Sequence, residues 1–566
     1  MYLDSGRIFV GSHQGDSQVI QISEKSLEVV QTFANIAPIL DFAVMDMGNR
    51  SSDAPVNEFS SGQARIVTGS GAFKDGSLRS VRSGVGLEDL GSIGEMGAPV
   101  SSIFSLRSNA SREFADTLVV SFVSHTRVFR FSADGEVEEV EVFGGFQLGE
   151  STQYAGNLPD GRAVQVTSSA VLLTDSDDSM VQDSWRPPGA ASITAVAAEG
   201  DKVLVSLGGA ALVVLDLSSS AVKVQAQREF DGTGQVSCIA LSKTMPDACV
   251  VGFWQDSKVS VLGLSSLQEL ATERVAKEES LAVPRSLLVA NLLQDQPPVL
   301  FVGLADGNVV TYSVESAQKP FAARKSIILG TQQPNFALLS RGDGLENVFA
   351  TCEHPSLIYG SEGRMVYSAI TAENAQSIAP FDSEAYPGAI AIATAEGELK
   401  LALVDEERTT HVQTLSVNET VRRIAYSAEL KAFGLGTIKR TLTAGQEEVE
   451  SHFKLVDEIA FQELHTYPLN QDELIECVMR CQLDDGSGSG DTAERFVVGT
   501  AYLDDQDQTT ARGRILVFEV TEERRLKLVT ELALKGACRC LAMCLGRIVA
   551  ALIKTVSPLP TYSLSL

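Results

Sequence analysis

Short runs rich in Val, Ile, Leu and Phe alternate with turn residues along the whole chain, and stretches with helical periodicity are scarce. The pattern predicts an all-β protein. Residues 6–12 (GRIFVGS) and 17–22 (SQVIQI) flank a polar turn and read as a hairpin. Residues 38–47, 64–70 and 76–82 continue the theme across a polar insertion at 49–63. From there one unit recurs: a buried strand, a tight polar turn and a second strand. Copies begin at Leu118, Ala163, Val203, Cys249, Val299, Val348 and Ala389, at spacings of 45, 40, 46, 50, 49 and 41 residues. Such a period belongs to four-stranded propeller blades, in which the inner strands are the most apolar. Seven copies between residues 84 and 408 predict one complete ring.

The pattern continues beyond that ring. Residues 421–427, 431–439, 452–457 and 461–467 make one further four-strand set, and residues 472–481, 495–502, 513–520 and 526–532 make another. A third opens at Cys538 and Arg547 and breaks off. Its expected third strand carries Pro558 and Pro560, and proline lacks the N–H that a ladder needs, so pairing there is expected to be compromised. The fold expected is therefore all-β, with multiple seven-bladed β-propellers, one complete and two partial. Residues 1–83 read as the last blades of a first propeller, 84–408 as a complete middle ring and 409–566 as the opening blades of a third. A partial ring leaves an unpaired sheet edge and an open core. The low-complexity run 484–491 (DDGSGSGD) predicts a flexible acidic loop inside a blade.

Composition narrows the function. Of 566 residues 44% are apolar, and 73 acidic against 45 basic residues give a net charge of −28. That field repels a phosphate backbone, so direct binding of nucleic acid is not expected; the densest basic groups are the pairs Arg422–Arg423 and Lys439–Arg440. The eight cysteines lie mostly in apolar segments and do not resemble a disulfide framework, which points to a reducing compartment, nuclear or cytosolic. No secretory h-region follows Met1, and no apolar run approaches the roughly 18 residues of a membrane span.

Catalytic chemistry has little to hold on to. The glycine-rich piece 68–78 (TGSGAFKDGSL) lacks the Lys-Ser or Lys-Thr that a phosphate loop places after its last glycine, since Asp75 follows Lys74; it reads as a propeller turn. Cys538, Cys540 and Cys544 fall on one strand face by their even spacing, as do Cys477 and Cys481, and read as core thiols rather than zinc knuckles. The six histidines are scattered, with no H-E-x-x-H and no G-x-S-x-G. No catalytic residue, metal ligand or cofactor site is assigned, and an enzyme is not expected. The turn within residues 247–264 (DACVVGFWQDSKVSVLGL) is unusual because most copies hold only small or charged residues there and this one holds Trp254. Trp254 reads either as an aromatic packed on the neighbouring blade or as an exposed interface anchor.

Four stretches carry a family resemblance: residues 2–18 (YLDSGRIFVGSHQGDSQ), 68–86 (TGSGAFKDGSLRSVRSGVG), 252–259 (GFWQDSKV) and 447–469 (EEVESHFKLVDEIAFQELHTYPL). They resemble the propeller scaffolds that include the large subunits of the UV-damaged-DNA-binding complex, of the cleavage and polyadenylation factor and of a splicing complex. The close form of GAFKDGSLRSVRSGVG points to the damage-binding branch. The resemblance runs from about Tyr2 to about Ile553. It implies three seven-bladed propellers and a C-terminal helical domain, of which this chain would hold the end of the first ring, the whole middle ring and the opening of the third. It also implies a scaffold without catalytic residues: the middle ring holds a cullin-4 scaffold, and the cleft between the other two receives WD-repeat substrate receptors. Damaged DNA is gripped by a smaller partner subunit. The resulting assembly is a nuclear, and also cytoplasmic, ubiquitin ligase acting in DNA repair.

By the same resemblance Trp254 stands on the cullin-facing surface, and Tyr2, Asp4 and Gly6 stand on the receptor side. Ser5 replaces an expected asparagine, and Gln235 stands where an acidic residue is expected. Two rival readings remain, an RNA-processing scaffold of the sister families and a propeller that binds a small molecule or substrate in its central channel.

Overall fold

The computed structural model describes all residues except 1, 4–5, 14, 24–25, 34, 47–63, 176–179, 231–234, 256, 277–281, 371, 373–374, 444–445, 485–491, 504–511, 545, 553–554 and 559–566. The polar insertion and nearly all of the acidic loop thus lie outside the described residues. Among the described residues every regular element is a strand, apart from two single turns of 3-10 helix at Phe73–Asp75 and Pro188–Ala190. The first of these turns joins Ala64–Ser70 to Ser77–Glu95, so the glycine-rich piece is a strand-to-strand turn, as its residues predict.

The chain packs into two compact units. The described residues of Met1–Asp46, Ala64–Arg82 and Val412–Leu566 form one, and those of Ser83–His411 form the other. In the second unit five antiparallel sheets of four strands stand alone, and two more belong to a ten-stranded sheet, which makes seven blades. Each of the seven predicted hairpin starts lies in the second strand of its blade, for example Leu118 in Thr117–Ser121 and Cys249 in Ala248–Phe253. These second strands are buried along nearly their whole length, because blades on both sides cover them. The seventh blade takes Ala375–Phe381, Ala389–Thr394 and Glu398–Ser416 from the end of the unit and its outer strand, Ser77–Glu95, from the beginning. Phe122 and Phe131 of the first blade pack with Phe381 and Leu401 of the seventh, and the Phe131 and Phe381 rings stand 4.6 Å apart. Apolar clusters fill each of the other six joints between blades, so the ring is closed.

The first unit opens with the sheet Arg7–Val10, Ser17–Ile22 and Leu27–Phe33. The hairpin of Ile39–Asp46 and Ala64–Ser70 packs against Thr420–Ser427: the Ile424 amide donates to Asp41 at 3.0 Å, and the Phe73 amide donates to Thr420 Oγ1 at 2.8 Å. Gly69 is required at this joint, because a Cβ there would stand 2.8 Å from Val421. Two four-stranded blades follow, running from Thr420–Ser427 to Glu463–Pro468 and from Glu473–Asp484 to Leu526–Leu534.

Two expectations need correction. The last sheet does gain a third strand, Val556–Pro558, which pairs with Arg547–Leu552. It is an edge strand among the described residues, where half of the N–H groups face away from the ladder and proline is tolerated. The cysteines of Cys538–Cys544 do not share a face: a one-residue bulge between Cys538 and Cys540 breaks the alternation, so Cys538 is buried and Cys540 and Cys544 are exposed. Cys477 and Cys481 both lie beyond a similar bulge and stay buried together.

Buried charge braces the two full blades of this unit. In the first, the Glu419 carboxylate accepts from Thr437 Oγ1 at 2.5 Å, lies 3.1 Å from His452 Nδ1 and pairs with Lys454 at 3.4 Å. Burial opposes its charge, but these hydrogen bonds and the Lys454 ammonium prevail and hold its pKa at about 2 against an ordinary 4.5. A depressed carboxylate stabilises the fold above its unfolded pKa, and the contribution is lost as pH falls from 4.5 towards 2. Glu419→Gln is therefore expected to flatten the fall of the thermal midpoint across that window, measured against the parent chain. An identical pH dependence would show that Glu419 is not the linked group.

Candidate partner-binding surfaces

Trp254 follows the fully buried strand Ala248–Phe253 and opens the turn to Lys258–Gly263. The strand drives it outward: Phe253 turns in, 6% exposed, against Phe230 at 5.3 Å, and the next residue must leave the core. The turn is held at several points. The Trp254 amide donates to the Gln235 carbonyl at 2.8 Å, and Ser257, at φ +46°, donates through its hydroxyl to the Ala282 carbonyl at 2.6 Å. Gly252 belongs to the same device, since a Cβ there would meet Cys238 Sγ at 2.6 Å and Pro284 of the next blade at 3.0 Å.

The indole is 44% exposed, and one face carries the Arg285 guanidinium at 4.4 Å. One face is thus packed on the next blade and the rest is open. Arg285 Nε donates in turn to Gln333 Oε1 at 2.9 Å. The loop bearing Gln333 is tied by Glu353, which accepts from the Thr331 hydroxyl at 2.7 Å, the Thr331 amide and the Gln332 amide at 3.1 Å. Against the burial that disfavours its charge, these bonds hold the Glu353 carboxyl below the usual range. Four elements from three successive blades therefore fix the orientation of one exposed ring.

Sequence reasoning missed Arg285, Gln333 and Glu353. A signal was available, because in a propeller the turn after a blade's second strand faces the start of the next blade, and Arg285 lies in the strand Pro284–Ala290 that opens the fifth. A cation over an indole is worth about 0.5–2 kcal/mol. Arg285→Ala, in a Trp185→Phe background that leaves one indole, is expected to raise acrylamide quenching of Trp254 and lower its fluorescence anisotropy. Unchanged values would show that Arg285 does not hold the ring.

Of the receptor-side residues, Tyr2 and Gly6 come together in the first unit, and Asp4 lies outside the described residues. Tyr2 is 66% exposed and bridges to Ile8, and the Gly6 amide donates to Tyr2 Oη at 3.3 Å. Gly6 has φ +80°, and a Cβ there would meet Gln21 Nε2 at 3.0 Å, so the chain reversal after Tyr2 needs glycine. Neither surface offers a metal cradle: among the described residues no three His, Cys, Asp or Glu side chains converge. No helix among them is long and apolar enough to cross a membrane.

Comparison with known proteins places the chain in a family. The description "RSE1/DDB1/CPSF1 second beta-propeller" matches residues 87–404, "RSE1/DDB1/CPSF1 first beta-propeller" matches residues 1–34, and "CPSF A subunit region" matches residues 450–557. The chain is 32% identical over 563 residues to DNA damage-binding protein 1 of Oryza sativa subsp. japonica, covering 97% of this chain and 49% of that protein. It is 31% identical over 565 residues to DNA damage-binding protein 1a of Arabidopsis thaliana, with the same coverage of each. The chain thus spans about half the length of the curated relatives it matches. With the second-propeller description alone extending over more than half of its residues, the chain belongs to the RSE1/DDB1/CPSF1 β-propeller family.

Proposed function

We propose that the chain is part of a non-catalytic scaffold that links a cullin-4 ubiquitin ligase to substrate receptors in DNA damage repair. The observation that carries this reading is the closed ring matched to the family's second propeller, with Trp254 held outward on it by the neighbouring blade. In this reading residues 84–408 are the cullin-binding ring, and Trp254 is its anchor. Residues 1–83 belong to a first propeller and 409–566 to a third, with the hairpin of Ile39–Asp46 and Ala64–Ser70 lending strands to the latter, as its packing on Thr420–Ser427 supports. Tyr2, Asp4 and Gly6 face WD-repeat receptors, and a smaller subunit supplies damage recognition. The strong acidic balance supports leaving nucleic acid to that partner. The site of action is the nucleus, with a cytoplasmic pool.

Affinity purification of the chain followed by mass spectrometry tests the reading. Recovery of a cullin with WD-repeat proteins is expected. Polyadenylation or splicing subunits without any cullin would overturn it in favour of the sister-family role.

A further inference from the structure

One buried side-chain pair has no part in the proposed function. Cys477 lies on the first strand of one blade and Cys538 on the first strand of the next sheet, and their sulfurs stand 3.9 Å apart, the one sulfur–sulfur contact among the described residues. The space that holds them is made by Gly499 on the strand Thr492–Tyr502. A Cβ at that glycine would stand 2.6 Å from both sulfurs, so any other residue would drive into the pair. Around it Val497, Ile515, Leu541 and Ile548 form an apolar wall. Both bulges described above lie at these cysteines, and each shifts its strand's register so that the thiol faces the shared hollow.

We propose that Cys477 and Cys538 form a dithiol site that a small peroxide closes to a disulfide, stapling the sheet of Cys538–Cys544 to the preceding blade. Either thiolate can open the sequence. It attacks one peroxide oxygen; an S–O bond forms, the O–O bond breaks and, with one proton taken up, water leaves. The partner sulfur then displaces the sulfenic oxygen as a second water while losing its own proton. Two thiols are oxidised by two electrons in total, and one peroxide is reduced to two waters. The bond closes a loop across 61 positions of the chain, so it adds a covalent tie to elements otherwise joined by packing and by the Arg539–Glu476 ion pair at 3.0 Å.

The test uses the full chain with Cys540→Ser and Cys544→Ser to remove the exposed thiols. After hydrogen peroxide, unreduced digestion and mass spectrometry are expected to show the peptides of residues 477 and 538 joined, with a raised thermal midpoint that dithiothreitol reverses. In Cys477→Ser and in Cys538→Ser the pair cannot close, and in at least one of the two a sulfenic acid on the remaining thiol is expected to persist and be trapped by dimedone. The proposal is overturned if both thiols remain alkylatable in the denatured, peroxide-treated chain. It is equally overturned if Cys477 is found joined to a different cysteine, or if neither single variant forms a sulfenic acid.

Discussion

Trp254→Ala is expected to weaken capture of cullin-4 about thirtyfold or more while leaving the ring folded, since truncating a central aromatic hot spot costs about 2 kcal/mol or more. The folding half of this expectation rests on exposure. The ring is 44% open, and its covered face meets Arg285 rather than the core. The inward residue of the turn is Phe253, which the substitution does not touch. The binding half rests on preorganisation: an anchor already fixed by Arg285, Gln333 and the loop on Glu353 loses little entropy when a partner covers it. Surface plasmon resonance with the parent chain and the variant reads both terms, given matching circular dichroism. Equal affinities would remove Trp254 from the interface.

The second large effect is expected at Arg514. Its guanidinium meets Glu473 at 2.7 and 2.8 Å, and that carboxylate is fully buried and also accepts from Thr500 Oγ1 at 2.6 Å. The fork on Glu473 raises the Arg514 pKa further, so the charge is permanent. Arg514→Leu would leave a buried carboxylate without its counter-charge, a change that costs about 3–5 kcal/mol when a buried pair is broken from one side. Urea unfolding is expected to show the transition of the unit holding residues 412–566 moving to markedly lower denaturant. Lys439→Met is the control: its pair with Glu450, at 2.9 Å, lies in the same unit and is exposed on both sides, and such pairs contribute little to stability. If both variants shifted the transition equally, burial would not be what makes the Glu473 pair strong.

These two sites differ in how far the sequence disclosed them. The blades were legible because each second strand, such as Lys202–Leu207 or Val299–Leu304, is a short apolar run between turn residues, and its neighbours on both sides force near-complete burial. Trp254 was legible as an exception to that pattern. What remained hidden were partners far apart in sequence: Arg285 is brought to Trp254 by ring geometry, and Arg514 to Glu473 by strand pairing across 41 positions. The cysteine faces failed for a local reason, since alternation assumes a regular strand and a single bulge at Cys538 reverses the side chains that follow it. The strand Val556–Pro558 escaped because the proline rule bears on interior strands more than on edges.

Cullin binding by the ring of residues 84–408 is tested most directly by size-exclusion chromatography with light scattering on the purified chain mixed with purified cullin-4. The expected result is a one-to-one complex that Trp254→Ala dissolves at the same concentrations. Separate elution of the two proteins at micromolar concentration, or a complex indifferent to Trp254→Ala, would contradict it.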